Sequence, residues 1–102
     1  MAYQSPYPQS EPRTRLPRPG EVLGLVTQMH GGARMMVHCI DGKDRMCRVP
    51  GKIKKHIWVR EGDYVLIIPW SIEPNEKGDV EYRYTGVQIE QMRRKGLIKT
   101  EF

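Results

Sequence analysis

Apolar and polar residues alternate at every second position over residues 34–40. Met35, Val37 and Cys39 fall on one face, and Arg34, Met36, His38 and Ile40 on the other. This predicts a strand whose first set faces a core, with a second face that is accessible but not fully polar. Upstream, residues 22–29 are rich in apolar and β-favouring types and are interrupted by Gly24. A glycine inside a strand marks a bulge or sharp bend, which a small barrel needs in order to close. His30-Gly31-Gly32-Ala33 reads as a turn, and Asp41-Gly42 as a two-residue hairpin connection. Residues 43–49 return as a third strand, with Met46 and Arg48 on one face and Arg45, Cys47 and Val49 on the other. The pattern leaves open which of these faces is buried.

Pro50-Gly51 ends that strand. Residues 52–58 predict a short helical turn, with Ile53 and Ile57 inward and the lysines outward. Residues 64–70 are the most apolar stretch and predict a buried strand that Pro69 brings to an end. A polar loop follows over 74–79, and residues 80–84 alternate as a last strand. Thr85-Gly86-Val87-Gln88 has the spacing of a capping box. Ile89 and Met92 then share one helical face, Arg93, Arg94 and Lys95 suit the negative end of the helix dipole, and Gly96 is a stop, so a helix is predicted over 87–95.

Five short strands with a small connector after the third predict an all-β fold. The architecture expected is a five-stranded OB-fold Greek-key barrel with a C-terminal helix. An SH3-like barrel is the structural competitor. Residues 1–20 differ in texture: five of the chain's eight prolines fall there, with Gln and Ser between them. Too little apolar surface is present to offset ordering entropy, so a disordered N-terminal tail is expected. The division expected is a flexible basic Pro-rich tail at 1–20, an OB-fold barrel domain at 21–85, and a helix with a short tail at 86–102.

Charge changes the picture through its distribution. The net charge of +5 favours a polyanionic partner. More telling, residues 43–60 hold seven cations against Asp44 alone, whereas residues 61–102 carry eight acids and six cations. A local excess of this kind is either a solvated face or the footprint of a nucleic acid. Arg34, Arg45 and Arg48 sit on two adjacent strands, where forked guanidinium groups could meet phosphates from a rigid platform. Lys52, Lys54 and Lys55 could track a backbone as mobile point charges, with His56 beside them. Trp58 is either a core anchor or a stacking ring. Arg13, Arg15 and Arg18 make the end of the tail basic, and are weaker candidates for an RNA contact. Sequential stacking rings on strands two and three are not evident, which favours structured RNA over unstructured single strands.

Other chemistries lack their signatures. There is no phosphate-binding loop and no nucleophile elbow. The three histidines are scattered, and Cys39 and Cys47 stand eight apart without metal-ligand spacing. No enzyme activity, cofactor or metal is expected. With no secretory or membrane segment, the expectation is a cytoplasmic monomer with both thiols reduced.

The run from Asp41-Gly42 to Trp58, Asp-Gly-Lys-Asp-Arg-Met-Cys-Arg-Val-Pro-Gly-Lys-Ile-Lys-Lys-His-Ile-Trp, resembles the core of the archaeal and eukaryotic translation initiation factor 1A family. The bacterial members share its Gly-Lys-x-Lys/Arg-Lys part. The resemblance extends to Gly31-Gly32-Ala33-Arg34, Gly62 to Leu66, and Asp79 to Gly96, covering about residues 20–96. It implies an initiation factor on the small ribosomal subunit, bound through ribosomal RNA at the decoding, aminoacyl-tRNA site. The partners implied are initiator tRNA, messenger RNA and other initiation factors. The matching RNA-contact positions are Arg34, Arg45, Arg48, Lys52, Lys54, Lys55 and Trp58. The chain ends at Phe102 after Lys99-Thr100-Glu101, without the long acidic extension of eukaryotic members, and so resembles the archaeal type. A general RNA-chaperone barrel of the cold-shock kind is the alternative. An accessory subunit of an enzyme whose active site lies elsewhere is the third reading.

Overall fold

The computed structural model describes residues 16–51 and 59–96. Five strands close into a barrel: β1 (Val22–Gly31), β2 (Arg34–Cys39), β3 (Asp44–Arg48), β4 (Tyr64–Pro69) and β5 (Lys77–Tyr84). Helix α1 (Gly86–Arg94) follows. The order around the barrel is β1-β2-β3-β5-β4, and β4 returns to β1. Neighbours are antiparallel except β3 and β5, which run parallel. This is the Greek-key barrel of the OB-fold.

Local chemistry builds the hairpins. Gly31 pairs with Arg34, so Gly32 and Ala33 make a two-residue turn. Both have a φ of 60°, the left-handed conformation that the turn's twist demands. Ala33 adopts it at a steric cost, but its side chain packs on the core and its carbonyl accepts the Val49 N–H at 3.0 Å. β1 is long because it serves two neighbours. Val22 to Leu25 pair with β4, while the strand pairs with β2 as far as Gly31 through two register shifts. Gly24 lies between Cys39 and Val65 where the three strands meet. A Cβ there would fall 2.3 Å from Val37 Cγ1, so the close approach needs glycine.

The core has two layers. Val26, Met35, Val37, Cys39, Cys47, Val65, Ile67 and Val80 fill the barrel. Leu23 and Leu66, paired in register, pack with Tyr84, Ile89 and Met92 of the helical layer. The unbroken apolar run at 65–67 follows from this: Val65 and Ile67 belong to the barrel interior, and Leu66 to the helix side. Cys39 and Cys47 are free and buried. Burial pushes the Cys47 thiol up to about 12 and raises that of Cys39 as well, so both act as small core residues.

At the start of α1, Thr85 Oγ1 accepts the Gln88 N–H at 3.1 Å and Gln88 Oε1 accepts the Thr85 N–H at 2.9 Å. This is the capping box expected from the spacing. β5 begins at Lys77, three residues before the expected strand, because residues 77–79 pair with Met46 to Arg48 on one side. On the other side, Gly78 and Asp79 pair with Pro69 and Ile68. Among the described residues, no helix is long and apolar enough to cross a membrane.

Candidate nucleic-acid interface

The faces of β3 follow from the barrel. Arg45, Cys47 and Val49 turn inward, and Met46 and Arg48 turn outward. The outer surface of β2 and β3 is therefore built from three cross-strand rows: His38 opposite Asp44, Met36 opposite Met46, and Arg34 opposite Arg48. In the first row, His38 Nδ1 lies 2.6 Å from Asp44 Oδ1. The second is a half-buried, polarisable strip of thioethers. The third places two exposed guanidinium-bearing side chains directly opposite one another.

Like charges in register across a strand pair are unfavourable on their own. The third row is relieved by one acid. Arg48 Nε donates to Asp79 Oδ1 at 3.1 Å, and the Arg48 guanidinium carbon lies 5.1 Å from the centre of the Trp70 ring. The row continues from Arg48 to Asp79 on β5 and on to Ile68 on β4. Among the described residues, the Arg48 side chain donates through Nε only, which leaves its terminal nitrogens for an incoming anion. A pair of forked donors on a rigid sheet can engage phosphate oxygens with directional, charge-assisted hydrogen bonds.

Arg45 departs from the expectation of an RNA-facing cation. It is 3% exposed. Its Nη1 and Nη2 donate to Asp41 Oδ1 and Oδ2 at 3.1 and 3.0 Å, and its Nε donates to the Pro74 carbonyl at 2.6 Å. The inward face of β3 carries it to the end of the barrel, where the β2–β3 turn and the β4–β5 loop converge. There it ties the two connections together, and its charge is matched by the protein's own carboxylate. Hydrogen bonding from Arg45 in turn holds the Asp41 carboxyl below the usual carboxylate range.

Of the other expected contacts, Lys52, Lys54, Lys55, His56, Trp58, Arg13 and Arg15 lie outside the described residues. Lys52 follows Arg48 by four positions in the chain. Arg18 is exposed in the turn that leads into β1, where its N–H donates to Glu21 Oε1 at 2.9 Å. Sequence reasoning overlooked Asp79 and Trp70. The alternation of Lys77, Asp79 and Glu81 is the available signal: it carries the strand expected over 80–84 back through Lys77 and Asp79, which fall in the expected loop.

A family model described as translation initiation factor 1A / IF-1 matches residues 11–102. The chain belongs to this initiation factor family. A translation initiation factor 1A of Methanopyrus kandleri is 50% identical over 86 residues, covering 84% of this chain and 77% of that protein. One from Methanococcus maripaludis strain S2 is 48% identical over 100 residues, covering 96% of each. Among solved structures, the solution structure of the bacterial-type translation initiation factor one from the Wolbachia endosymbiont of Brugia malayi is similar. It has a TM-score of 0.52 and 27% identity, over 71% of this chain and 85% of that one. YjeQ from Thermotoga maritima matches with a TM-score of 0.51 at 19% identity, over 64% of this chain and 23% of that one, and so shares the fold alone. The relatives are initiation factors 1A of archaea, within the family that the run from Asp41 to Trp58 resembles. Among the described residues, no group of His, Cys, Asp or Glu is placed to hold a metal ion.

Proposed function

We infer that this initiation factor 1A relative binds the small ribosomal subunit at the decoding, aminoacyl-tRNA site through ribosomal RNA. There it promotes initiator tRNA recruitment and start-codon selection. The observation that carries this reading is the Arg34–Arg48 row: two exposed guanidinium groups held in register on a rigid sheet. A polyanion offsets their mutual repulsion and releases counterions on binding. Lys52, Lys54, Lys55, His56 and Trp58 extend the same run of chain beyond Arg48 and join the contact by sequence. Arg13, Arg15 and Arg18 add weaker contacts before β1. In this reading residues 21–85 carry RNA binding, while 1–20 and 86–102 are accessory. The protein acts in the cytoplasm as a monomer, beside messenger RNA and other initiation factors.

The methionine row weighs against a cold-shock-like chaperone. Such a protein needs rings on which successive bases stack, and Met36 and Met46 hold the centre of this face. Chemical footprinting of small-subunit RNA, with and without the protein, tests the proposal. Protection confined to the decoding helix is the expected result. An unchanged decoding helix under saturating protein overturns it.

A further inference from the structure

On the barrel wall beyond Arg48, a groove of about 370 Å³ is lined by Arg48, Ile68, Pro69, Trp70, Ile72 and Asp79, together with Ser71. Its rim carries Ile72, 75% exposed, and Ile68, 36% exposed. Single exposed aliphatic residues are ordinary on a protein surface. This pair differs because the loop presenting Ile72 is tied down on both sides. Glu73 O accepts N–H groups from Glu76 and Lys77 at 3.0 and 2.9 Å, Trp70 N–H donates to Lys77 O at 3.0 Å, and the Pro74 carbonyl is held by buried Arg45. A fixed loop that holds an isoleucine in water offers apolar surface that a partner can bury without first ordering the loop.

The chemistry of the groove selects its occupant. The Trp70 ring has Arg48 at 5.1 Å and Lys77 at 5.7 Å from its centre, and its Nε1–H is bound to Asp79 Oδ1 at 2.8 Å. The ring is therefore engaged by cations and is not an open platform for a base. What the groove offers is aliphatic surface at Ile68, Pro69 and Ile72, beside the donors of Arg48 and Lys77. That combination complements aliphatic side chains next to a carboxylate. We propose that the Trp70 groove is a docking site for a short protein segment in which aliphatic residues adjoin aspartate or glutamate. It is a protein-facing surface that adjoins the Arg34–Met36–Met46 face and shares Arg48 with it.

The test is selection of random displayed peptides on the full-length protein, with counter-selection on Ile72→Ser. Binding of the selected peptides is then measured by fluorescence polarisation. Peptides pairing Leu or Ile with Asp or Glu should be enriched. Ile72→Ser and Lys77→Glu should each weaken them about tenfold, the size of one interface anchor. Because Ile72 is exposed, an unchanged melting temperature confirms that the variant is folded. Binding of a short oligouridylate should be unaffected by Ile72→Ser. Enriched peptides that ignore both substitutions, or no enrichment over the counter-selected variant, overturn the proposal. So does a tenfold loss of oligouridylate binding in Ile72→Ser, which would make the groove a nucleotide site.

Discussion

Arg45 and Asp41 form a forked ion pair across the turn between β2 and β3, with N–O distances of 3.1 and 3.0 Å, and only the arginine is buried. The asymmetry makes the two partners unequal. Asp41→Ala leaves a buried guanidinium without its counter-charge and should cost about 2 kcal/mol, below the range for a fully buried pair because Asp41 is open to water. Arg45→Met removes the buried charge and keeps apolar volume, so it should cost less, about 1 kcal/mol, chiefly through the stranded Pro74 carbonyl. Urea denaturation of the two variants checks the order. Arg45→Met should also retain RNA affinity, whereas an exposed contact would lose it.

The same pair sets an acid limb of stability. Asp41 has a lowered folded-state pKa, caused first by its hydrogen bond to Arg45. Its contribution is therefore present above the ordinary carboxylate value and is lost as pH falls through the lowered one. Wild type should lose stability over that acid window by more than Asp41→Asn does. Melting temperatures from neutral pH down through the carboxylate range measure the difference, and parallel curves would contradict it.

Arg34 and Arg48 face each other on the outer surface. Replacing both by Ala should lower the slope of log affinity against log salt by about two phosphate contacts. Folding stability should change little, because relief of the like-charge pair is offset by loss of the exposed Arg48–Asp79 ion pair and the Arg48–Trp70 contact. Binding to small-subunit RNA at several salt concentrations gives the slope. A slope that stays constant would take these arginines out of the interface.

Gly24→Ala should destabilise the barrel by about 1–3 kcal/mol, since the new methyl would overlap Val37 Cγ1. Gly51→Ala, where a Cβ meets nothing within 4 Å, is the control and should be nearly neutral. Thermal unfolding of both variants makes the comparison.

Where one physical pattern governed a segment, the sequence was sufficient to read it. Period-two alternation identified Met35, Val37 and Cys39 as core, and capping-box spacing identified Thr85 with Gln88 as a helix cap. Asp41-Gly42 marked the β2–β3 turn, but that turn spans three residues, 40–42, between the paired Cys39 and Lys43 and not the two expected. The family was legible too, in the run through the third strand and its connector. Long-range contacts were not. Arg45 is indistinguishable from Arg48 by type or neighbourhood. Its inward placement depends on Pro74, 29 residues away, reaching the end of the barrel. The early start of β5 depends likewise on Met46 to Arg48 offering a parallel partner. Ile72 gave no signal, since an isolated isoleucine in a polar loop reads as incidental until the loop is seen to be anchored.

The circuit of strands returning from β4 to β1 has a consequence for crowded surroundings. An open sheet invites a stray extended chain to add itself to the exposed ladder of amides and carbonyls. A cylinder gives such a chain no template. Specificity is thereby handed to side chains standing on the wall, which can be exchanged one at a time without reopening the seam.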